Sequence, residues 1–229
     1  MDLLHEIGRR LAAADPLHEV LDQVVGLICS TVKCDSCFIY VREGDELVLR
    51  GSKNPHPEVI DRLKLRVGQG ITGWVAEHRQ PVAVSRDACQ DPRFKLFTEL
   101  PEDCFEAFLS VPILSRGQVV GVINLQKRLP HTHTKREIKL ISTIGFLVGA
   151  EIEAARLDGE ISQLSEQLET RKLVERAKGI LQRELGLSEE EAYLALQKQS
   201  RQRRRPMKGV AEAIVLSEEV RRSQKPPQS

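Results

Sequence analysis

The spacing of apolar residues changes period several times along the chain. Over residues 2–14, Leu3, Leu4, Ile7 and Leu11 share one side of a short amphipathic helix. Asp15-Pro16 breaks it, and Leu17, Val20, Leu21, Val24, Val25 and Ile28 form the inward face of a second helix. The period then drops to two. Residues 37–41 and 46–50, on either side of Glu43-Gly44-Asp45, predict a β-hairpin. A loop through Asn54-Pro55-His56-Pro57 leads to a short helix near 58–63. Gly68, Gly70 and Gly73 predict tight turns before another short helix, followed by a strand at Val82-Ala83-Val84. Two more strands fall at 110–114 and 118–125.

From Lys135 the spacing is helical again. Leu147, Ala154, Ile161 and Leu168 recur every seven residues, as do Ala150, Leu157 and Leu164. This a/d seam predicts a parallel coiled coil, and so a homodimer through residues 147–168. Beyond it, Leu173, Val174, Ala177, Ile180, Leu181 and Leu185 line one face of a helix that Gly186 is placed to end. Ser188 with Glu191 forms a capping box for a second helix, whose inward residues are Ala192, Tyr193, Leu196 and Ser200. Pro206 opens a third, with Met207, Val210, Ala211 and Ile214 inward. The last residues, 221–229, are predicted disordered.

Charge divides the chain as the periodicity does. The 229 residues carry a net charge of only +1. From Arg171 onward, however, 14 Lys and Arg face 8 Asp and Glu, a net of +6, leaving −5 on the first 170 residues. A basic rear end favours a polyanion partner. No apolar run reaches membrane-spanning length, and Met1–Glu6 lacks the order of a signal peptide, so a cytoplasmic protein with no membrane partner is expected. Five cysteines, unevenly placed within 29–104, do not read as a secreted disulfide framework.

Two resemblances add to this. The run Val67-Gly68-Gln69-Gly70-Ile71-Thr72-Gly73-Trp74, the Pro81-Val82 strand, Asp91-Pro92-Arg93-Phe94, and the strands at 110–114 and 118–125 resemble the GAF domain over about residues 17–155. The runs Val174–Leu181 and Gly186–Ala192, with Val210-Ala211, resemble the ANTAR domain, a three-helix RNA-binding module of bacterial antiterminators. The resemblance implies an α+β chain: a GAF-like antiparallel sheet covered by helices (1–155), a coiled-coil linker helix (156–170), an all-α ANTAR-like domain (171–220) and a tail (221–229). It also implies stabilisation of paired RNA stem-loops that compete with a terminator, gated by a small-molecule or redox signal. The effector is expected between the sheet and the Gly68–Ala76 and Asp87–Leu100 segments.

Lys178, Gly179, Arg183, Arg201, Arg204, Arg205 and Lys208 are the candidate RNA contacts, with Lys178 and Gly179 on an exposed helix face. Tyr193 is a candidate for stacking on a base if exposed, and otherwise a core residue. Leu147, Ala154, Leu157, Ile161, Leu164 and Leu168 are the candidate dimer contacts. The alternative function is a sensor whose basic helices dock a protein partner without touching RNA. Cys29, Cys34 and Cys37 have a spacing seen in iron–sulfur proteins, with Cys104 as a fourth candidate. Helix and strand periodicity favours a plainer reading, with Cys29 buried and Cys34 and Cys37 pointing different ways. His131-Thr132-His133 reads as an exposed connection, and no metal is expected there. No nucleophile–base–orienter set is present, so no enzyme is expected.

Overall fold

The computed structural model describes residues 17–53, 59–94 and 105–223. The helix expected at 2–14, the loop at 54–57, residues 95–100 of the expected effector region and Cys104 lie outside them. The chain forms two compact units, divided between Arg156 and Leu157. No helix of the described residues is long and apolar enough to cross a membrane.

The N-terminal unit opens with α1 (Leu17–Val32), which buries Val20, Leu21, Val24, Val25 and Ile28 as the periodicity requires. The hairpin follows as β1 (Ser36–Glu43) and β2 (Glu46–Lys53), with Glu43 opposite Glu46 across the turn. Then come β3 (Lys64–Arg66), α2 (Gly70–His78), β4 (Val82–Val84), β5 (Ala107–Ser115) and β6 (Gln118–Lys127). They form one antiparallel sheet in the order β3-β2-β1-β6-β5-β4. The α+β architecture is as expected.

Helices cover both faces of this sheet, so its central strands are buried over most of their length. Along β1, Cys37, Ile39 and Val41 enter one core with α1, while Phe38 and Tyr40 enter the other with α2. The first core is closed by Ile141, Ile144, Val148 and Ile152 of α3 (Lys135–Leu185). Gly149 lets that helix lie close, because a Cβ there would stand 2.6 Å from the Leu114 carbonyl oxygen. Gly73 plays the same part in α2, where a Cβ would meet the Arg66 carbonyl at 2.4 Å.

The α2 side is where an effector was expected. Its described part is filled by side chains, among them Phe38, Tyr40, Ile71, Val75 and Phe108. Trp74 is half-buried there, stacked on His78 at 4.0 Å with the Arg93 guanidinium 5.1 Å from its ring centre. A cleft of about 900 Å³ opens elsewhere in the unit, lined by Arg42, Arg50, Arg116, Val119, Ile152 and Arg156 among others.

The cysteines differ from expectation. Cys29, Cys34 and Cys37 do not point different ways but enter one core, with the Cys29 and Cys34 sulfurs 3.1 Å apart. Lys33, at φ 52°, turns the chain back after α1 and brings them together. The Cys34 contact favours the Cys29 thiolate, but the Cys37 hydrogen bond and burial outweigh it and push Cys29 up to about 12. The Cys29 contact and burial raise Cys34 further still. Cys29 and Cys34 are therefore protonated, inert thiols at neutral pH. Cys89 is disulfide-bonded.

One polar relay crosses the α2 core. Ser110 Oγ donates to Asn124 Oδ1 at 2.7 Å, and Asn124 Nδ2 donates to Thr72 Oγ1 at 2.7 Å. All three residues are buried, so Asn124 ties β5, β6 and α2 together. Asn124→Ala strands both hydroxyls and is expected to cost about 1–3 kcal/mol. Urea unfolding of the full chain measures this, and an unchanged midpoint would show that the relay contributes nothing.

Candidate nucleic-acid interface

The C-terminal unit is built from the end of α3, α4 (Glu189–Arg203) and α5 (Met207–Ser223). Gly186, at φ 66°, follows the last residue of α3. The capping box is complete: Ser188 Oγ accepts from the Glu191 backbone N–H at 3.2 Å, and the Glu191 carboxylate accepts from Ser188 N–H at 2.8 Å. The three helices share a small core of Val174, Ala177, Ile180, Leu196, Val210, Ala211 and Val215. Residues 221–223 are not disordered but end α5, and Arg221 pairs with Glu184 at 3.2 Å.

Tyr193 is not a core residue. It is 43% exposed, because α4 turns only Ala192 and Leu196 fully inward. Its ring lines an open groove of about 990 Å³ with Arg171, Pro206, Met207 and Lys208.

The candidate cations divide into two groups. Lys178 is 6% exposed, not on an open helix face. Its ammonium donates to Glu189 Oε1 at 2.7 Å and to both oxygens of Glu175 at 3.0 Å. Glu175 lies one turn back on α3, but Glu189 comes from the start of α4, so only the tertiary fold brings the second carboxylate in. Arg183 is also paired, to Glu218 at 3.2 Å, and Lys208 lies 3.7 and 3.8 Å from Glu166 and Glu169. Arg201, Arg204 and Arg205 differ. They are exposed where α4 gives way to α5, and none makes an ion pair among the described residues.

The turn that carries them is closely bonded. Arg204 takes the left-handed conformation at φ 50°, and its N–H reaches the Arg201 carbonyl at 3.3 Å. Arg205 N–H donates to the Ser200 carbonyl at 3.1 Å, while Ser200 Oγ donates to the Arg205 carbonyl at 2.6 Å. A non-glycine residue at positive φ costs free energy and persists where its surroundings fix it. Gly179 and Gly209 have nothing within 4 Å of a would-be Cβ, so neither is a packing point among the described residues.

Comparison with known proteins agrees with this geometry. The GAF domain family matches residues 16–152, and the ANTAR domain family matches residues 162–215. This chain is a GAF-domain protein with a C-terminal ANTAR domain. The transcriptional regulatory protein PdtaR of Mycobacterium tuberculosis is 47% identical over 76 residues, 33% of this chain and 37% of that protein. The phosphoenolpyruvate-dependent phosphotransferase system protein of Escherichia coli is 28% identical over 165 residues, 70% of this chain and 22% of that protein. This chain therefore spans well under half the length of either relative. The solved GAF domain of a Coxiella burnetii phosphoenolpyruvate-protein phosphotransferase superposes with a TM-score of 0.65 at 28% identity, covering 69% of this chain and 95% of that one. With an ANTAR domain behind a GAF domain, the protein is a regulator with a sensory domain.

The dimer candidates lie along α3 of this GAF–ANTAR chain. Leu147 is half-buried against the GAF core, beside Ile144 and Val148, and so is partly used within its own unit. Ala154 is exposed and Leu157 half-buried. Ile161, Leu164 and Leu168 are 61, 59 and 58% exposed.

The Lys178 clamp gives the ANTAR domain a pH signature. Glu189, then Glu175, raise the Lys178 pKa, and Lys178 lowers that of Glu189. The lysine's contribution is full below about pH 10.4 and fades only in strong base. The glutamate's is present above its unfolded value of about 4.3 and is lost as pH falls through the depressed folded value. Lys178→Met is therefore expected to flatten the acid limb of helix stability below about pH 4. Circular dichroism melting against pH reads this, and an unaltered acid limb would exclude the clamp.

Proposed function

We propose that the ANTAR domain binds RNA stem-loops, that two copies act together in a homodimer to prevent terminator formation, and that the GAF domain gates the binding. The observation that carries this reading is the unpaired cluster Arg201, Arg204 and Arg205 beside the groove lined by Tyr193. Guanidinium groups without carboxylate partners are free for phosphates, which fix position without reading sequence. An exposed tyrosine offers a stacking surface for an unpaired loop base. Lys208 has long, solvent-exposed ion pairs with Glu166 and Glu169, which phosphates displace at little cost, and the Arg183 side chain is itself exposed opposite Glu218. Lys178 is assigned to folding instead of contact.

Gly179 gives this reading a distinctive test. A helical glycine with open space around it costs about 1 kcal/mol relative to alanine. Its presence is explained if an RNA backbone approaches there. Gly179→Ala is therefore expected to stabilise the domain while lowering RNA affinity.

Binding to a tandem stem-loop RNA tests the proposal directly. Affinity should fall with salt by a log–log slope of about −0.7 per neutralised phosphate of a single-stranded loop. Arg204→Ala and Arg205→Ala should each weaken binding and make the slope shallower by about 1. If affinity and slope stay unchanged while the helices remain folded, the basic helices dock a protein partner and do not bind RNA.

The dimer rests on the exposed seam. Ile161, Leu164 and Leu168 present apolar side chains to water on one helix, and a parallel partner helix would cover them. Joining two RNA-binding domains turns the second contact into an intramolecular one, raising affinity without new contacts. Ile161→Asp with Leu164→Asp puts charge into the seam and is expected to give monomers in analytical ultracentrifugation. A double variant that still sediments as a dimer would place the association elsewhere in the chain.

A further inference from the structure

The connection from β6 to α3 is exposed at residues 128–130, Thr132 and Thr134, but against expectation His131 is half-buried and His133 buried. His133 is only 7% exposed, and neither ring nitrogen has a hydrogen-bond partner among the described residues. Burying an imidazole with both nitrogens unsatisfied is unfavourable, and most buried polar side chains avoid it. Several other groups of this connection are hydrogen-bonded. The His131 backbone N–H donates to the Ser85 carbonyl at 2.9 Å, which fixes the loop against the residue after β4. Glu137 Oε2 accepts from Thr134 N–H at 2.7 Å and Thr134 Oγ at 3.0 Å, while Thr134 Oγ accepts from Glu137 N–H at 3.1 Å. That capping box occupies one carboxylate oxygen. The other, Oε1, faces His131 Nε2 at 3.2 Å.

We propose that His131, His133 and Glu137 form a binding site for a divalent transition-metal ion of the zinc class. Each residue offers one donor atom, and the three donors lie within 4.8 Å of one another. Tetrahedral zinc with bonds of about 2.0–2.1 Å sets its ligand atoms about 3.3 Å apart. The His131–Glu137 pair already has that separation, so only the His133 ring has to move in. Two imidazoles and one carboxylate are borderline donors, suited to zinc and its neighbours and not to magnesium or calcium. Three protein ligands leave a fourth position for water or another ligand.

The site accounts for two features at once. It gives the orphaned His133 nitrogen a partner, and it uses the Glu137 oxygen that the helix cap leaves free. The capping bonds also fix the carboxylate, as outer contacts do at known metal sites. Two charges oppose a cation here, Lys127 and the positive end of α3. The Glu137 carboxylate offsets them from within the first turn. The proposal does not depend on RNA binding, and the two stand or fall separately.

The test uses the full chain, stripped with a chelator and titrated with Zn²⁺ and then Co²⁺. One equivalent of Zn²⁺ should bind and raise the melting temperature. Co²⁺ should give visible ligand-field bands of a nitrogen–oxygen site without thiolate charge-transfer bands. His133→Ala should weaken Zn²⁺ binding by more than about tenfold. Glu137→Gln should weaken it similarly while keeping the helix cap, because glutamine also serves in a capping box. That second variant decides the question if His133→Ala fails to fold. Absence of Zn²⁺ binding, binding unaltered in Glu137→Gln, or thiolate bands that place the ion at Cys29, Cys34 and Cys37 would each overturn the proposal.

Discussion

A buried polar group has to find a partner, and this constraint fixes the arrangement of both units. In the GAF domain, Asn124 satisfies it by joining Ser110 and Thr72, which ties two strands to the short helix that covers them. In the ANTAR domain, Lys178 satisfies it with Glu175 and Glu189, which ties the start of the second helix to the first. Asn124–Thr72 and Lys178–Glu189 each join different elements of the chain. Each also selects one packing among the several that an apolar core of this size would tolerate. His133 departs from the rule, and a departure of this kind is where a ligand is most reasonably sought.

The same accounting separates structural charge from functional charge in the ANTAR domain. Its excess of positive charge is not spread evenly. Arg176, Lys178, Arg183 and Arg221 are matched to carboxylates, most of them between the first and third helices. Those pairs that are exposed, such as Arg176–Glu219, contribute little to stability, about 0–1 kcal/mol each. These pairs engage those cations, whereas Arg201, Arg204 and Arg205 remain unpaired together at one turn among the described residues. Arg201, Arg204 and Arg205 stand on backbone that is hydrogen-bonded back to Ser200 and Arg201, so their positions are set before any ligand arrives. A cationic turn in a domain that also exposes Tyr193 suits a target that combines phosphate charge with unstacked bases.

The long helix α3 shows how one element serves different environments. Its first half turns Ile141, Ile144, Val148 and Ile152 towards the sheet, and its last turns place Val174, Ala177 and Ile180 in the small helical core. Between them, Ile161, Leu164 and Leu168 keep the spacing of a buried stripe but have no cover among the described residues. The heptad repeat showed this seam in the sequence. It did not show that Leu147 already packs against the GAF core, because one residue can satisfy a seven-residue repeat and a 3.6-residue stripe at once.

Local chemistry determined much of this protein from the sequence alone. The stripe of α1, the hairpin turn at Gly44, the stop at Gly186, the Ser188–Glu191 cap and the apolar faces of the last three helices depend on neighbours within a few residues. Tertiary structure decided what depends on distant neighbours. Lys178 looks like a free surface cation until Glu189 arrives from the next helix. Tyr193 fits the inward spacing, but the core has room for only Ala192 and Leu196 on that side. Cys29, Cys34 and Cys37 converge because Lys33 reverses the chain. His133 is buried although its neighbours in sequence are polar. Periodicity reports which face of an element is apolar, whereas burial and pairing of a single polar side chain depend on the atoms that the fold brings to it from elsewhere.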